Sequence, residues 1–280
     1  MQKIIEKVKT KSGIIEFSKI GSGSPILYLN GSLCNCNDDM GYSPLIKAGF
    51  SIITPSRPGY GETPLNSGVS AEQAADLINY LVEYLKLNVF YVIAVSGGGL
   101  TGLYLASKYP EKVKKLILAS AVTKPLKIEK ERYKSAKTFY GPWHRIIWTL
   151  LNISGLISKK TLVKKTYELF SSCNVKDIMY EIKKEDINEI IRFYKKKAQN
   201  IGALNDLEQI ITDDVLLNIS APTLIVHSKH DRAVPFNHAQ NAIELIKNSE
   251  LYIAETWGHF IWIGKGSEGV FNKVINFLNN

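Results

Sequence analysis

Short, nearly continuous apolar runs alternate with helical periodicity along the first half of the chain. Residues Ala71–Leu85 show the helical period between two such runs. Runs that are apolar throughout are typical of strands buried on both faces by flanking helices, so the pattern predicts a mostly parallel α/β sheet. An earlier stretch, Val8–Phe17, has Ser12 and Gly13 in its middle and predicts a leading hairpin. The predicted sheet strands are Pro25–Leu29, Phe50–Thr54, Val89–Val95, Lys115–Leu118, Thr223–Val226 and Leu251–Ile253.

The middle of the chain, residues 122–215, has a different character. It shows long helical periodicity rich in Lys, Tyr, Phe and Trp, and it contains no convincing strand. We interpret it as a helical cap, or lid, inserted into an α/β core formed by residues 1–121 and 216–280. Its aromatic stretch Thr138–Ile157 either packs on the core or lines a substrate pocket. On the second interpretation Trp143 is a candidate pocket residue.

Composition places the chain in a broad class. A chain of 280 residues with 45% hydrophobic and 22% charged residues is typical of a globular protein. No apolar run is long enough for a membrane span, and the first residues lack the sustained apolar segment of a secretory signal. Cys34, Cys36 and Cys173 are too few for a disulfide framework in a chain of this length. Together these features favour a cytoplasmic protein.

The formal net charge of +9 raises the question of an acidic partner. Lysines are scattered along amphipathic stretches, and no basic run carries interleaved aromatic residues, so no nucleic-acid partner is predicted. Cys34 and Cys36 form a C-x-C pair, but no neighbouring His or Cys completes a tetrahedral zinc site. We therefore predict no metal.

Ser96 stands where a buried strand meets three glycines and a helix, in the sequence AVSGGGL. A serine at a tight strand-to-helix turn needs small neighbours, and Ala94 and Gly98 meet that need. Such a turn lifts the hydroxyl to the C-terminal edge of the sheet, where ligands bind in α/β folds. A phosphate-binding loop is the alternative, but G-x-G-x-x-G spacing and a following Gly-Lys-Ser/Thr are both missing. Gly and Ser also cluster in ordinary turns, so the segment alone leaves two interpretations of Ser96, a turn residue or a nucleophile; in the second, the N–H of Gly97 faces a developing oxyanion.

A serine nucleophile requires a histidine to remove its proton and a carboxylate to orient that histidine. Asp231 follows a predicted strand in APTLIVHSKHDRAVPF, and His259 follows the last predicted strand in ETWGHFIWI. Ser96 also ends a strand, so a parallel sheet would gather the three side chains at one edge.

These segments resemble the α/β-hydrolase family in content and in order. The matching pieces are AVSGG at the nucleophile, APTLIVHSKHDRAVP at the acid and GHF at the base, and the resemblance covers nearly all of the chain except the cap. It implies the α/β-hydrolase fold, a mostly parallel central sheet flanked by helices with an inserted helical cap. It also implies that Ser96 is the nucleophile, Asp231 the orienting acid and His259 the general base, with no organic cofactor. A serine instead of an aspartate nucleophile disfavours the dehalogenase and epoxide-hydrolase branches.

The second oxyanion donor is expected from the loop after the first sheet strand, where the family usually shows His-Gly. This chain has Asn30-Gly31-Ser32-Leu33. The N–H of Ser32 is the candidate donor, and Leu33 is the second choice and a candidate pocket residue. Asn30 departs from the family pattern, which leaves the hydrogen bonding of this loop open. The segment SRPGYGET, residues 56–63, is also similar to the family and is interpreted as a scaffold loop.

The function that follows is hydrolysis of small carboxylic esters or related acyl compounds through an acyl-enzyme. Thioesterases, lipases, amidases or aminopeptidases and carbon–carbon bond hydrolases share the triad, and a non-catalytic small-molecule receptor is the alternative from another class. Substrate choice depends on the shape of cap and pocket, which the sequence does not display. The aromatic-rich cap favours an apolar acyl group. The expected partner is thus a small-molecule acyl substrate, and no oligomeric state is predicted.

Overall fold

The computed structural model describes residues 2–126, 137, 158–194 and 200–280. Within these residues the sheet strands are β1 (Ile4–Thr10), β2 (Gly13–Ile20), β3 (Ser24–Leu29), β4 (Phe50–Pro55), β5 (Phe90–Val95), β6 (Val113–Ala119), β7 (Thr223–His227) and β8 (Ser249–Ile253). They form one eight-stranded sheet in the order β1-β2-β4-β3-β5-β6-β7-β8. β2 is antiparallel to β1 and β4, and the adjacent strands from β4 to β8 are parallel. The predicted α/β-hydrolase fold, with its leading hairpin, is confirmed.

Helices cover both faces of the sheet. Those in the described segments are α1 (Ser43–Lys47), α2 (Ala71–Tyr84), α3 (Gly99–Lys108), α4 (Lys159–Phe170), α5 (Val175–Glu181), α6 (Lys184–Tyr194), α7 (Asn200–Asp206), α8 (Asp213–Leu217), α9 (Asn237–Leu245) and α10 (Ser267–Asn279). Short 3₁₀ turns occur at Leu65–Ser67 and Ser96–Gly98. No helix in the described part of the chain is both long enough and apolar enough to cross a membrane.

The central strands are apolar throughout because each of their faces is buried against a different set of helices. Leu27 and Val92 belong to a core cluster that includes side chains of α2, α3 and α9. Tyr28 and Ile93, their neighbours along β3 and β5, belong to a second cluster with α1 and α10. Successive side chains of a strand point to opposite faces, so both faces require apolar residues.

A local signal defines the start of α2. The Ser70 hydroxyl accepts a hydrogen bond from the Gln73 N–H at 3.1 Å, and the Gln73 side chain accepts one from the Ser70 N–H at 3.2 Å. This reciprocal capping box satisfies two donors that a helix N-terminus leaves open. The helix then buries its apolar face against the sheet, at the place where the sequence predicts it.

The described part of residues 122–215 is helical, in α4 to α8. Leu162, Tyr167 and Ile190 form a third apolar cluster that includes Trp257, from the loop after β8. By contrast, Leu216 of α8 belongs to the cluster of α2 and α3. The helices α4 to α6 therefore rest on a loop at the C-terminal edge of the sheet. Trp143 and the whole aromatic stretch Thr138–Ile157 lie outside the described residues, and the division at residues 121 and 216 stays a prediction.

Candidate active site

Ser96 occupies a strained turn between β5 and α3. Its φ of 50° lies in the left-handed region, which non-glycine residues rarely adopt. The turn is possible because the neighbouring residue has no side chain. A β-carbon on Gly98 would lie 2.5 Å from the Leu29 carbonyl oxygen. One on Gly102 would lie 2.5 Å from the β-carbon of Ala94. The small residues of this segment thus let β5, β3 and α3 approach closely while Ser96 projects at the strand end.

The structure brings the three sequence-predicted side chains into one hydrogen-bonded chain. His259 Nε2 lies 3.0 Å from Ser96 Oγ, and His259 Nδ1 lies 2.7 Å from Asp231 Oδ2. Because a carboxylate can only accept, the proton of a neutral His259 ring belongs on Nδ1. Nε2 is then free to accept the Ser96 proton, as a general base must.

Asp231 is held as an anion inside the protein. Its Oδ1 accepts hydrogen bonds from the N–H groups of Ala233 and Val234, at 2.8 and 2.9 Å. Burial alone would raise the pKa of this carboxyl group, but the charge of His259 and the hydrogen bonds from His227 and His259 outweigh it. The pKa of Asp231 falls to about 2. The carboxylate therefore stays ionised across the range in which histidine titrates.

The last residue of α4 joins the acid and base loops. The Phe170 carbonyl accepts hydrogen bonds from the N–H of His259 at 3.1 Å and from the N–H of Arg232 at 3.4 Å. Its ring lies 5.7 Å from the His259 ring, centroid to centroid, at an interplanar angle of 34°. The C-terminus of this helix therefore fixes the backbone on which the imidazole stands and packs an apolar ring beside it.

The two predicted oxyanion donors are neighbours. A β-carbon on Gly97 would lie 3.3 Å from Ser32 N, and one on Gly31 would lie 2.9 Å from Ser96 Cβ. Ser32 and Gly97 thus lie on two backbone segments that meet beside the Ser96 hydroxyl. This is the place where an oxyanion would form during attack on a carbonyl.

Asn30 supplies hydrogen bonds that the sequence left open. Its Nδ2 donates to the carbonyls of Asn35 and Asp38, at 2.9 and 3.3 Å. The backbone carbonyl of Asn30 accepts a hydrogen bond from Arg57 Nε at 3.0 Å. The asparagine side chain thus ties the loop back on itself, and the backbone of the same residue links the loop to the segment at residues 56–63.

A buried ion pair lies beside these donors and was missed from the sequence. Asp206, at the end of α7, pairs with Arg57 in a bidentate arrangement at 2.7 and 2.8 Å. Tyr60 and Ser32 also donate their hydroxyls to Asp206. The segment at residues 56–63, interpreted as scaffold, therefore contributes Arg57 and Tyr60 to the surroundings of the site. Asp206 gave no signal, because it stands in a helical stretch without a motif.

A cavity of about 190 Å³ opens onto the Ser96 and His259 side chains. Leu33, a predicted pocket residue, lines it, whereas Trp143 lies outside the described residues. The other apolar lining residues among those described are Cys34, Met40, Val95, Leu100, Val122, Leu126, Phe170, Phe193, Leu207, Ala233, Val234, Phe260 and Trp262. Among the described residues that line the cavity, Asp206 is the only carboxylate and none is Lys or Arg.

Comparison with known proteins identifies the type of fold and chemistry. The sequence model of the alpha/beta hydrolase fold family matches residues 25–265. The chain is 34% identical over 284 residues to the uncharacterised hydrolase YcgS of Bacillus subtilis, covering 100% of both chains. It is 25% identical to the 2-hydroxy-6-oxononadienedioate/2-hydroxy-6-oxononatrienedioate hydrolase of Escherichia coli, covering 94% of this chain and 90% of that one. An α/β-hydrolase fold protein from Nakamurella multipartita superposes with a TM-score of 0.83 at 25% identity, covering 98% and 99% of the two chains.

Proposed function

The chain belongs to the α/β-hydrolase family and is a hydrolase, and from that premise we propose that it cleaves small carboxylic esters with Ser96 as the nucleophile. One observation carries the proposal. Ser96 Oγ, the two ring nitrogens of His259 and Asp231 Oδ2 form an unbroken chain of contacts at 3.0 and 2.7 Å. Packing alone does not require three strand-end loops to supply these groups in this order.

The reaction proceeds in two stages. His259 Nε2 takes the proton of Ser96 as Ser96 Oγ attacks the ester carbonyl, and the resulting oxyanion is bound by the N–H groups of Gly97 and Ser32. The alcohol leaves with the proton from His259, which produces an acyl-enzyme. His259 then takes a proton from water, the hydroxide attacks the acyl carbonyl, and the carboxylic acid departs as Ser96 Oγ regains its proton. Asp231 stabilises the imidazolium in both stages.

The cavity supports a small, uncharged acyl group. Its described lining is mainly apolar, and its volume of about 190 Å³ is below the usual range for drug-sized ligands. Asp206 is the carboxylate that could attract a substrate amine, but its oxygens already accept hydrogen bonds from Arg57, Tyr60 and Ser32. A free α-ammonium group would have to displace these donors. The aminopeptidase alternative is therefore less favoured than the ester.

Carbon–carbon bond cleavage is the second candidate, because the Escherichia coli relative is a hydrolase of a 2-hydroxy-6-oxo dienedioate. Such a compound carries two carboxylates, which are usually recognised by Arg or Lys. The described lining of the cavity includes neither. The apolar lining therefore favours a neutral ester over a dienedioate with two negative charges.

The test compares two substrate classes on one enzyme preparation. We would measure turnover of p-nitrophenyl esters from acetyl to octanoyl, and of a 2-hydroxy-6-oxo dienedioate, by the wild type and by Ser96→Ala. The expected result is turnover of the short esters, a fall towards octanoyl, and loss of activity in Ser96→Ala. Faster turnover of the dienedioate would replace the ester proposal with carbon–carbon cleavage, and turnover of neither would overturn both.

Ser120 offers a matched control. It also follows a parallel strand, β6, and has a positive φ of 46°, and its side chain is buried. It stands outside the chain of contacts through His259. Ser120→Ala should keep ester turnover, so a loss confined to Ser96→Ala identifies the nucleophile and excludes a general effect of removing a strained serine.

A further inference from the structure

Asp206 is the acceptor for four hydrogen bonds from three side chains. Its Oδ1 accepts from Arg57 Nη1 at 2.7 Å, and its Oδ2 accepts from Arg57 Nη2 at 2.8 Å. The hydroxyls of Tyr60 and Ser32 also donate to Oδ2, each at 2.6 Å. The side chains of Arg57 and Asp206 are 6% and 8% exposed. A buried carboxylate so fully engaged has one fixed position.

The pKa values of two donors to this carboxylate, Arg57 and Tyr60, lie above their ordinary values. Burial alone would lower the pKa of Arg57, but the Asp206 charge outweighs it and raises that pKa above its ordinary value. Burial, followed by the Asp206 charge, raises the pKa of Tyr60 well above its ordinary value. Arg57 is therefore cationic and Tyr60 a neutral hydroxyl donor, and the Arg57 charge compensates that of Asp206.

The ion pair forms hydrogen bonds to two residues of the loop Asn30–Leu33, which we call the oxyanion loop. Arg57 Nε donates to the Asn30 carbonyl at 3.0 Å, and Asp206 Oδ2 accepts from the Ser32 hydroxyl at 2.6 Å. Between these two residues lies Gly31, whose missing side chain leaves room for Ser96. The second hydrogen bond is made by Ser32, the residue whose N–H is proposed to bind the oxyanion.

Asp206 is also close to the other proposed donor. A β-carbon on Gly97 would lie 2.9 Å from Asp206 Oδ2, and it would collide with Ser32 Oγ. An uncompensated carboxylate at this position would repel an oxyanion. The bidentate pairing with Arg57 allows a carboxylate to serve as an anchor there.

The helix that carries Asp206 is held in place by other bonds as well. Gly202 N–H donates to the Gly59 carbonyl at 3.3 Å, and Asn205 Nδ2 donates to the Val69 carbonyl at 2.8 Å. Gln209, just beyond the helix, accepts from the Ala71 N–H at 2.6 Å. Removing the Asp206 anchor therefore leaves α7 attached to the core, so that its effect on catalysis can be measured separately.

We propose that Asp206 is a positioning residue that acts through the Ser32 hydroxyl to direct the Ser32 N–H at the oxyanion. The inference rests on the proposed function, because it concerns the transition state of that reaction. Ser32 then has two separate roles. Its backbone N–H binds the oxyanion, and its side-chain hydroxyl anchors the loop to Asp206, a residue of the predicted cap.

The test uses Ser32→Ala, Asp206→Asn and the double variant, with p-nitrophenyl acetate. Ser32→Ala removes the anchored hydroxyl and keeps the backbone N–H. We expect kcat to fall roughly tenfold to hundredfold in each single variant, with KM changed by less than about twofold, because a transition-state contact is lost. The double variant should be no slower than the slower single variant, since both changes break the same contact.

Asp186→Asn is the matched control. Asp186 is another carboxylate of the predicted cap, and its Oδ1 accepts a hydrogen bond from the core Gly264 N–H at 3.2 Å. It stands away from the oxyanion loop, so Asp186→Asn should keep the wild-type kcat. A merely structural link between cap and core would lower kcat similarly in both aspartate variants and overturn the proposal.

The remaining outcomes separate this inference from the proposed function. An unchanged kcat in Ser32→Ala, or a rise in KM alone, overturns the positioning role while ester turnover by the wild type stands. The positioning role is also overturned if Asp206→Asn slows the Ser32→Ala variant further.

If the wild type turns over no ester, the proposed function fails, and the rate of Ser96 phosphonylation by a fluorophosphonate then tests the positioning role. Slower phosphonylation of Ser32→Ala then supports positioning, and an equal rate or no phosphonylation of the wild type overturns it. Ser32→Ala keeps the test decisive if Asp206→Asn fails to fold.

Discussion

His227 Nε2 lies 3.4 Å from Asp231 Oδ2, the oxygen that also accepts a hydrogen bond from His259 Nδ1 at 2.7 Å. His227 is buried, and the same Nε2 donates to the Val234 carbonyl at 2.9 Å, which fixes the ring. Two imidazoles thus face one carboxylate oxygen, while two backbone N–H groups bind the other. The interactions that hold Asp231 ionised therefore come from the end of β7, from the loop after β7 and from the loop after β8.

Stability should depend on pH through Asp231. Its pKa is about 2 in the folded protein against an ordinary value of 3.8, so the unfolded chain binds more protons between these values. The stabilisation is present above pH 4 and is lost as the pH falls towards 2. Urea unfolding at pH 5 and pH 2.5 should show that the wild type loses about 2 kcal/mol more than Asp231→Asn over this interval. Equal losses in the two proteins would show that the carboxylate is not stabilised by folding.

Ser96 should be less stable in its turn than a glycine would be. Its φ of 50° is strained for any residue with a β-carbon, and Ser96→Ala keeps that strain while Ser96→Gly relieves it. We expect Ser96→Gly to be about 1 kcal/mol more stable than Ser96→Ala in thermal or urea unfolding. At Ser228, a buried serine without positive φ, the same pair of substitutions should give the opposite order. A common order at both positions would argue against strain at Ser96.

Alanine substitutions at Gly97 and Gly98, two neighbouring glycines of the nucleophile turn, should affect different properties of the protein. A β-carbon on Gly97 collides with the Ser32 hydroxyl, which can rotate away only by leaving Asp206. A β-carbon on Gly98 lies 2.5 and 2.8 Å from the Leu29 and Asn30 carbonyls, which cannot move without the strand. Gly97→Ala should therefore fold and lose kcat, whereas Gly98→Ala should lose about 1–3 kcal/mol of stability. Thermal melts and ester kinetics on both variants check this, and wild-type kcat in Gly97→Ala would contradict it.

The strands and the three strand-end residues could be predicted because their signals are local. The central strands are apolar runs; Ser96 follows one of them directly, and Asp231 and His259 stand in the loops that follow β7 and β8. In a parallel sheet the ends of the strands share one edge, so local positions determine which side chains meet. The local signals that specify the fold therefore lie outside the predicted cap.

The surroundings of the site could not be predicted because they depend on contacts between distant segments. Asp206 is 149 positions from Arg57, and nothing around either residue indicates a partner. Whether the carboxylate is buried, paired or solvated is decided when the predicted cap docks on the core. Asn30 is a similar case, since its hydrogen bonds go to carbonyls of a loop whose path the sequence does not specify.

Activation of Ser96 by His259 is tested by covalent labelling of that serine. Purified protein would be treated with a fluorophosphonate, and the adduct located and timed by peptide mass spectrometry in the wild type, His259→Ala and His230→Ala. His230, on the Asp231 loop, serves as the control because its ring contacts Ser172 instead. We expect one adduct, on Ser96, formed at the wild-type rate in His230→Ala and on the order of a thousandfold more slowly in His259→Ala. An adduct on another residue, or a rate that does not depend on His259, would contradict this expectation.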